Sequence, residues 1–185
     1  MRLPAILLFA ALALLALTGA GSSPWAVDRD ASRIELSVDA LGGSHTGRFS
    51  EWGGDIVFDP EAPDRTRAVI VVQSASLVMS PAMAARRATG PAFLDAARYP
   101  QIRFDLQSLQ PVGGNRYTAR ATVTIKGVTR AVSFPVDLRL TGDRAHLTGA
   151  FALNRADFGI GTSGPWNRLV GRQVTVRVGL QAHRG

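Results

Sequence analysis

Apolar and polar residues alternate along much of the chain, most regularly between Arg116 and Leu140. Every second residue of the segments 117–125 and 132–140 is apolar, and the positions between them are mainly polar. A period of two is typical of a β-strand with one buried face. Lys126-Gly127 lies between the segments, and its glycine supplies the positive φ that a tight hairpin needs. The pattern predicts an antiparallel hairpin at the centre of the chain.

Other segments repeat this alternation, and a lone hairpin is only marginally stable, so we expect the segments to share one sheet. Segments joined by short turns pair in antiparallel fashion. About eight strands, each with one apolar face to bury, favour an all-β fold in which the sheet curls into an up-and-down barrel. Besides the hairpin, the predicted strands are 33–40, 49–58, 68–78, 102–107, 145–153 and 174–181.

Three segments depart from simple alternation. Gly53-Gly54 interrupts one predicted strand and indicates a bulge or a sharp bend. The 68–78 run is apolar on both faces, so we expect it to be covered on both sides. The alanine-rich segment 81–97 predicts a short helical insertion, which Gly90-Pro91 divides into two pieces.

The first twenty residues differ from the rest and predict a secretory signal peptide over 1–20. Met1-Arg2 precedes an apolar run over 3–17, and small residues follow it up to Ala20. This run is shorter than the roughly 20 residues of a membrane span. We therefore expect cleavage after Ala20 and export to the periplasm, with an uncleaved anchor as the alternative. The mature chain is expected to form a single domain over 24–182.

Charge and cysteine content narrow the possible partners. The chain has no cysteine and a formal net charge of +7, and all its basic residues except Lys126 are arginines spread along the sequence. A nucleic-acid site would show a concentrated basic patch with aromatic residues among the charges, so no nucleic-acid partner is predicted. Weak attraction to an anionic membrane surface fits the charge.

No catalytic or metal-binding motif is present in the sequence. His45, His146 and His183 are far apart and lack a repeated ligand spacing, so no metal site is predicted. There is no Gly-x-Ser-x-Gly elbow and no cysteine nucleophile. We therefore expect no enzyme, no catalytic residues and no cofactor.

A barrel of such strands encloses the apolar faces, and three interpretations of its interior remain open. An interior that the side chains do not fill holds one apolar ligand, whereas a fully packed interior needs none. An outer-membrane barrel with the faces reversed has the same period, but aromatic residues make up only 7% of the chain, too few for two interfacial girdles.

Several short motifs together resemble the YceI-like family of periplasmic polyisoprenoid-binding proteins. They occur in the family's order over nearly the whole predicted mature chain. The resemblance implies an extended, antiparallel, lipocalin-like β-barrel with a helical insertion and a long isoprenoid chain in a central tunnel. The motifs include Trp25-Ala26-Val27-Asp28, Gly54-Asp55-Ile56-Val57-Phe58-Asp59-Pro60, Tyr99-Pro100-Gln101-Ile102, Thr124-Ile125-Lys126-Gly127 and Leu153-Asn154-Arg155-Ala156-Asp157-Phe158-Gly159.

Candidate site residues follow from the alternation and the resemblance together. For each apolar candidate the alternative is a plain core role, and for Arg155 it is pairing or capping near a strand end beside Asp157. Arginine forks suit phosphate oxygens, so three arginines are candidates for a lipid headgroup at the barrel mouth. The predicted tunnel lining is Phe49, Trp52, Ile56, Phe58, Phe104, Val123, Phe134 and Phe151, and the predicted headgroup contacts are Arg86, Arg87 and Arg155.

The resulting functional hypothesis is a non-catalytic carrier or sequestering protein of the cell envelope. Its expected ligand is an isoprenoid lipid, either a polyprenol, a prenyl phosphate or a prenylquinone, and its expected state is a monomer or weak homodimer. The alternative is an envelope interaction or stress protein whose barrel is filled by its own side chains. A lipid hydrolase is a more distant third.

Overall fold

The computed structural model describes residues 25–59 and 61–184, so the predicted signal peptide lies outside the described residues. Strands dominate this part of the chain. They are β1 Trp25–Ala40, β2 Gly43–Phe49, β3 Trp52–Val57, β4 Arg67–Gln73, β5 Leu77–Met79, β6 Gln101–Gly113, β7 Arg116–Ile125, β8 Val128–Thr141, β9 Arg144–Asn154 and β10 Val170–Arg184. The helices are α1 Ala82–Thr89 and α2 Trp166–Leu169, with short 3₁₀ turns at Pro63–Arg65, Ser74–Ser76 and Arg155–Phe158.

The strands form one curled antiparallel sheet in the order β3-β4-β6-β7-β8-β9-β10-β1-β2-β5. Only Ser50 and Glu51 separate β2 from β3, and only the turn Ser74–Ser76 separates β4 from β5. Hydrogen bonds from Ser50 N to Ser76 O (3.1 Å) and from Gln73 N to Glu51 O (2.9 Å) carry the pairing across this bend. Counted as continuous bent strands, the ten segments become eight, and the predicted all-β barrel architecture is confirmed.

A seam separates β3 from the first half of β1. Within the described residues, β2 pairs with β1 only from Glu35 onward, and β3 pairs with β4 on one side. The rings of Trp25 and Phe58 meet edge to face beside this seam, with centroids 5.6 Å apart. Side chains rather than backbone hydrogen bonds therefore close the wall here.

The central hairpin has the predicted turn. β7 and β8 pair without a register shift up to Ile125 and Val128. Lys126 and Gly127 have φ values of 51° and 75°, the two positive values that a type I′ turn requires. The alternating residues of both strands are buried, except Tyr117 and Val132, which are half-buried, and Leu140, which is exposed near the end of β8.

Gly53-Gly54 does not form the expected bulge, because β3 pairs with β4 in unbroken register at both residues. Gly54 instead allows a close approach between two backbones. It has a φ of 154°, and a Cβ atom there would overlap the carbonyl oxygen of Val69 on β4. The glycine at position 54 is therefore required by the close contact between β3 and β4 and not by a bulge.

The 68–78 run and the helical insertion also differ from the predictions. Val69 and Val71 are only half-buried, so β4 is covered fully on its inner face alone. The insertion forms one helix, α1, and residues 91–94 and 96–98 form turns instead of a second helix. Asp95 has a φ of 50°, which a helix cannot accommodate. The chain bends there so that Phe93 and Ala96 are buried.

The core consists of three apolar clusters along the barrel. One cluster, which includes Trp25, Phe58, Leu109 and Leu138, fills the end away from α1. Two others lie toward the α1 end. Among the residues described, no helix has both the length and the apolar character needed to cross a membrane.

Candidate functional site

A cavity of about 560 Å³ runs inside the barrel, and its wall is almost entirely apolar. The volume lies in the usual range for small-molecule sites. All ten strands contribute residues through their inward faces, together with α1 and the connection between β9 and β10. The alternation that predicted the barrel therefore also builds the wall of its cavity.

Seven of the eight residues predicted to line the tunnel do line this cavity. They are Phe49, Ile56, Phe58, Phe104, Val123, Phe134 and Phe151. Trp52 is the exception. It lies at the bend where β3 begins and packs against the cluster around Phe49 and Val72 without reaching the cavity.

Three phenylalanines form an aromatic wall at the middle of the cavity. Phe134 and Phe151 have ring centroids 4.6 Å apart, and Phe104 lies 6.2 Å from Phe134 and 6.3 Å from Phe151. Such spacings are typical of favourable aromatic pairs. The rings brace each other and leave a rigid apolar surface toward the cavity.

The end of the cavity away from α1 is closed by buried side chains. Trp25, Phe58, Leu109 and Leu138 line it there and are all buried. The guanidinium of Arg184 lies over the outer face of the Trp25 ring, 5.3 Å from its centroid. We call this region the closed end.

The opposite end is the mouth, where exposed residues line the cavity. Leu41 in the β1–β2 turn is 67% exposed and Met83 on α1 is 70% exposed, and both belong to the lining. Ala84 and Ala88, one helical turn apart on α1, also line the cavity. One face of α1 therefore lies over the opening.

Contacts between three segments hold the mouth together. The guanidinium of Arg87 lies 4.2 Å from the centroid of the Trp166 ring, and Phe93 meets the same ring edge to face at 5.9 Å. Leu41 N donates to the Leu169 carbonyl oxygen at 3.0 Å. These contacts join the insertion, the β1–β2 turn and the β9–β10 connection around one opening.

Arg155 was predicted to contact a lipid headgroup. It lies beside the cavity, but its hydrogen bonds leave it unavailable for that contact. Its side chain is fully buried, and all five N–H groups donate to backbone carbonyl oxygens of the β9–β10 connection and of the first two residues of β10. The acceptors are Gly171 (2.9 Å, from Nε), Ile160 (2.7 Å) and Gly161 (2.8 Å), both from Nη1, and Asn167 (3.2 Å) and Val170 (2.6 Å), both from Nη2. Since a guanidinium has five donors, none is left for a phosphate.

The predicted pairing of Arg155 with Asp157 is also absent. Asp157 accepts a hydrogen bond from Asn154 Nδ2 at 3.1 Å, and the ion pair of the described chain is Arg103–Asp105 on the outer surface. Burial, and secondarily the nearby charge of Arg172, lower the pKa of Arg155. An arginine nevertheless keeps its proton at physiological pH, so Arg155 stabilises the loop as a charged hydrogen-bond donor.

The two arginines of α1 differ in their positions. Arg87 lines the mouth through its contact with Trp166. Arg86 is exposed and does not belong to the lining. Both lie in the last turn of α1, where they complement the partial negative charge of the helix C-terminus.

Within residues 25–59 and 61–184, no group of three or more histidine, cysteine, aspartate or glutamate side chains is placed to hold a metal ion. His45 lies at the rim of the cavity, and its Nε2 is 3.1 Å from the Ala40 carbonyl oxygen. The geometry of the site is that of an apolar binding cavity.

Comparison with known families identifies this architecture. The profile of the YceI-like domain matches residues 25–182. The chain belongs to the YceI-like family. It is 28% identical over 176 residues to a UPF0312 protein of Pseudomonas syringae pv. tomato, an alignment that covers 88% of this chain and 90% of the relative.

Solved structures share the fold. BcnA of Burkholderia cenocepacia superposes with a TM-score of 0.79 at 26% identity, covering 84% of this chain and 98% of BcnA. A domain from Saccharophagus degradans, described as polyisoprenoid binding and implicated in plant cell wall breakdown, superposes with a TM-score of 0.70 at 17% identity, covering 88% and 99%. The second likeness concerns the fold alone.

Sequence reasoning missed several residues of this YceI-like cavity. Leu41, Met83 and Trp166 form the mouth, and Trp25 and Thr66 belong to the closed end. Trp25 and Trp166 are large apolar residues beside the predicted strands, and that size was the available signal. The sequence contains no signal for Thr66, because a threonine just before a strand is common and does not indicate a cavity.

Proposed function

We propose that this YceI-like protein binds a long isoprenoid lipid in its cavity, as a non-catalytic carrier or sequestering protein of the cell envelope. The single observation that carries the proposal is an apolar cavity of about 560 Å³ that is closed at one end and open at the other. A linear hydrocarbon matches this shape and chemistry. The S. degradans neighbour, described as a polyisoprenoid binding domain, supports the same ligand class.

Burial of hydrocarbon alone can supply the affinity. Each buried methylene contributes roughly 0.8 kcal/mol, so about ten buried carbons contribute about 8 kcal/mol before ordering costs. This corresponds to roughly micromolar binding. No catalytic group is needed for such a function.

The cavity also argues against a barrel filled by its own side chains. Protein interiors contain few voids larger than a water molecule, and an empty apolar space forfeits dispersion contacts along its walls. A void of about 560 Å³ is costly unless a ligand occupies it. The volume therefore favours the carrier over the stress or interaction protein.

We further propose that the mouth takes up its lipid at an anionic membrane surface. Three exposed apolar side chains of the mouth, Leu41, Met83 and Leu169, come from three separate segments. Exposed Arg86 and Arg168 accompany them on α1 and α2. Apolar residues flanked by arginine suit the interface of an anionic bilayer, and export of the chain would bring it to such a membrane.

Lipid extraction and native mass spectrometry of the purified protein test the main proposal. We expect an isoprenoid to co-purify, and after extraction the protein should reload when mixed with vesicles that contain a polyprenol or a prenylquinone. A protein that arrives empty and takes up neither lipid would overturn it. Vesicles that contain only phospholipid are the control for adventitious loading.

A further inference from the structure

Two positive charges and no negative charge belong to the wall of the cavity. The positive charges are those of Arg87 and Arg155, and within residues 25–59 and 61–184 no aspartate or glutamate lines the cavity. The ion pair of this part of the chain, Arg103–Asp105, lies on the outer surface. Neither arginine of the wall therefore has an acidic partner among the described residues.

Contacts around Trp166 bring the two arginines to the same side of the mouth. The guanidinium of Arg87 lies 4.2 Å from the centroid of the Trp166 ring. Nη2 of Arg155 donates to the carbonyl oxygen of the next residue, Asn167, at 3.2 Å, and to that of Val170 at 2.6 Å. One cation therefore lies over the ring and the other is bonded to the backbone beside it, so that both charges raise the potential here.

The two arginines differ in what they offer an anion. Arg155 has spent its five donors on carbonyl oxygens, so it acts on an anion through its charge alone. Arg87 is exposed, and its contact within the described chain is with the face of the Trp166 ring. Its N–H groups remain for a ligand, and a guanidinium fork suits phosphate oxygens. The ring also holds this fork in place, which lowers the entropy cost of binding.

The rest of the wall determines which end of a lipid meets these charges. At the closed end, Nε1 of Trp25 and Oγ1 of Thr66 are buried and offer no surface to a ligand. A polar head that entered first would lose its hydration there without gaining a hydrogen bond, which is costly. At the mouth, exposed Leu41 and Met83 border an opening that water reaches. The hydrocarbon chain therefore enters first, and the head stays at the mouth.

We propose that Arg87, Trp166 and Arg155 form an anion site at the mouth, which binds the phosphate of a prenyl phosphate whose chain lies in the cavity. Arg87 donates hydrogen bonds to the phosphate oxygens, and the charge of Arg155 stabilises the anion from within the wall. The phosphate keeps part of its hydration at this open end, so its desolvation cost is small. This inference rests on the proposed function and narrows its ligand class to phosphorylated isoprenoids.

Binding of a matched pair of lipids to the extracted protein tests the site. The probes are a prenyl monophosphate and the prenol of the same chain length. We expect the unaltered protein to bind the prenyl phosphate about tenfold more tightly than the prenol, because hydrogen bonds to a charged group are the stronger ones. Arg87→Gln should weaken prenyl phosphate binding by about tenfold and leave prenol binding unchanged, which also shows that the variant is folded.

Arg98→Gln is the matched control. Arg98 is an exposed arginine of the same insertion, and its guanidinium lies over the Tyr99 ring, 5.4 Å from the centroid, but it does not line the cavity. This variant should bind both probes as the unaltered protein does. An equal loss of prenyl phosphate affinity in Arg98→Gln and Arg87→Gln would reduce the effect to net charge and overturn the site.

Two further results of the titrations would overturn the site. One is equal affinity of the unaltered protein for the two probes, and the other is an Arg87→Gln variant that weakens both probes equally, which would leave Arg87 a purely structural role. If the unaltered protein binds neither the prenyl phosphate nor the prenol, the proposed function itself fails. The failure of the anion site and the failure of the proposed function are thus distinguishable.

Competition and salt distinguish a lipid phosphate from a free one. Because the chain supplies most of the binding energy, inorganic phosphate at the same concentration should not displace the prenyl phosphate, and displacement would assign the site to free phosphate instead. Raising the ionic strength from about 0.1 M to about 1 M shortens the Debye length from about 10 Å to about 3 Å. This should weaken prenyl phosphate binding clearly more in the unaltered protein than in Arg87→Gln, and equal weakening would exclude Arg87 as the partner of the phosphate.

Discussion

Arg155 connects the end of β9 to the loop that leads into β10. Its five donated hydrogen bonds satisfy carbonyl groups between residues 160 and 171. The same loop carries Trp166 of the mouth. A single buried side chain therefore determines the course of a long connection.

Replacing Arg155 tests this role. We expect Arg155→Gln to lower the free energy of unfolding by about 3 kcal/mol or more, because several buried carbonyls lose charged donors at once. Arg155→Lys, which keeps the charge but has three donors, should lose less. Denaturant unfolding measures both, with exposed Arg168→Gln as the control. Equal stability of Arg155→Gln and the unaltered protein would contradict the role.

Two adjacent glycines allow a matched comparison. Gly54→Ala places a methyl group on the Val69 carbonyl at a φ of 154°, and we expect a cost of about 3 kcal/mol. In Gly53→Ala the new Cβ meets only the flexible end of Arg29, at 3.0 Å, so the cost should stay below about 1 kcal/mol. Thermal unfolding of the two variants measures both costs. Equal losses of stability would show that the close approach of the strands at Gly54 is not the cause of its cost.

At the residue scale the sequence predicted which side chains face inward, but not what their polar atoms do. Period-two alternation sufficed for Phe104, Phe134 and Phe151 because a strand fixes the direction of every side chain. The partners of Arg155 lie in an irregular loop, where no period applies. The same pattern could not show that Trp52 stops short of the cavity, since that depends on the bend before it.

Helix α1 and the β1–β2 turn determine access to the cavity. Met83 and Leu41 are exposed on these elements, although large apolar side chains gain by burial. Their exposure is consistent with a surface that meets a bilayer during lipid exchange. Because they lie at the opening, their effect should concern the rate of entry more than the final affinity.

A double substitution at the mouth tests this expectation. We expect Leu41→Ser/Met83→Ser to slow lipid transfer from anionic vesicles by about tenfold, because each lost apolar side chain weakens insertion by roughly 1.5–3 kcal/mol at most. Equilibrium affinity should change far less. Val112→Ser, at an exposed apolar residue near the end of β6 and away from the mouth, is the control. Stopped-flow transfer of a fluorescent prenyl lipid measures the rate, and an equal effect of the control would exclude a role for the mouth.

The insertion shows why element prediction succeeded only in part. Alanine richness predicted a helix, and α1 ends at Thr89 just before the expected break at Gly90-Pro91. Beyond it, the buried Phe93 and its contact with Trp166 set the course of the chain. That contact joins segments about seventy residues apart, as the residue numbers show, so local propensity does not reveal it.

The whole barrel surrounds one cavity, and its capacity can be altered from a single strand. Val176 on β10 faces the cavity, and Thr175 beside it does not belong to the lining. We expect Val176→Phe to weaken isoprenoid binding by about tenfold or more, because the ring displaces two or three carbons of ligand. The void accommodates the ring, so the free energy of unfolding should change by less than about 1 kcal/mol.

Thr175→Phe is the matched control, with the same added side chain on the other face of the strand. Its lipid affinity should equal that of the unaltered protein. Lipid titration monitored by calorimetry compares the two variants. If both bind as before, the lipid lies outside the cavity.

At the scale of the molecule, the closed arrangement of strands could be predicted from the sequence, whereas the empty interior could not. Alternation counts apolar faces, but it does not compare the summed volume of side chains with the space that eight strands enclose. The same inward residues are compatible with a packed core. Only the positions of the strands distinguish the two.

The seam between β3 and the first half of β1 gives the wall one place where it can widen. Elsewhere, spreading the strands breaks a ladder of backbone hydrogen bonds, but here side-chain contacts such as that of Trp25 with Phe58 and that of Arg29 with Gly53 must shift. We therefore expect a bulkier cargo to be accommodated by separation of these two strands, while the other strand pairs of the barrel stay hydrogen-bonded.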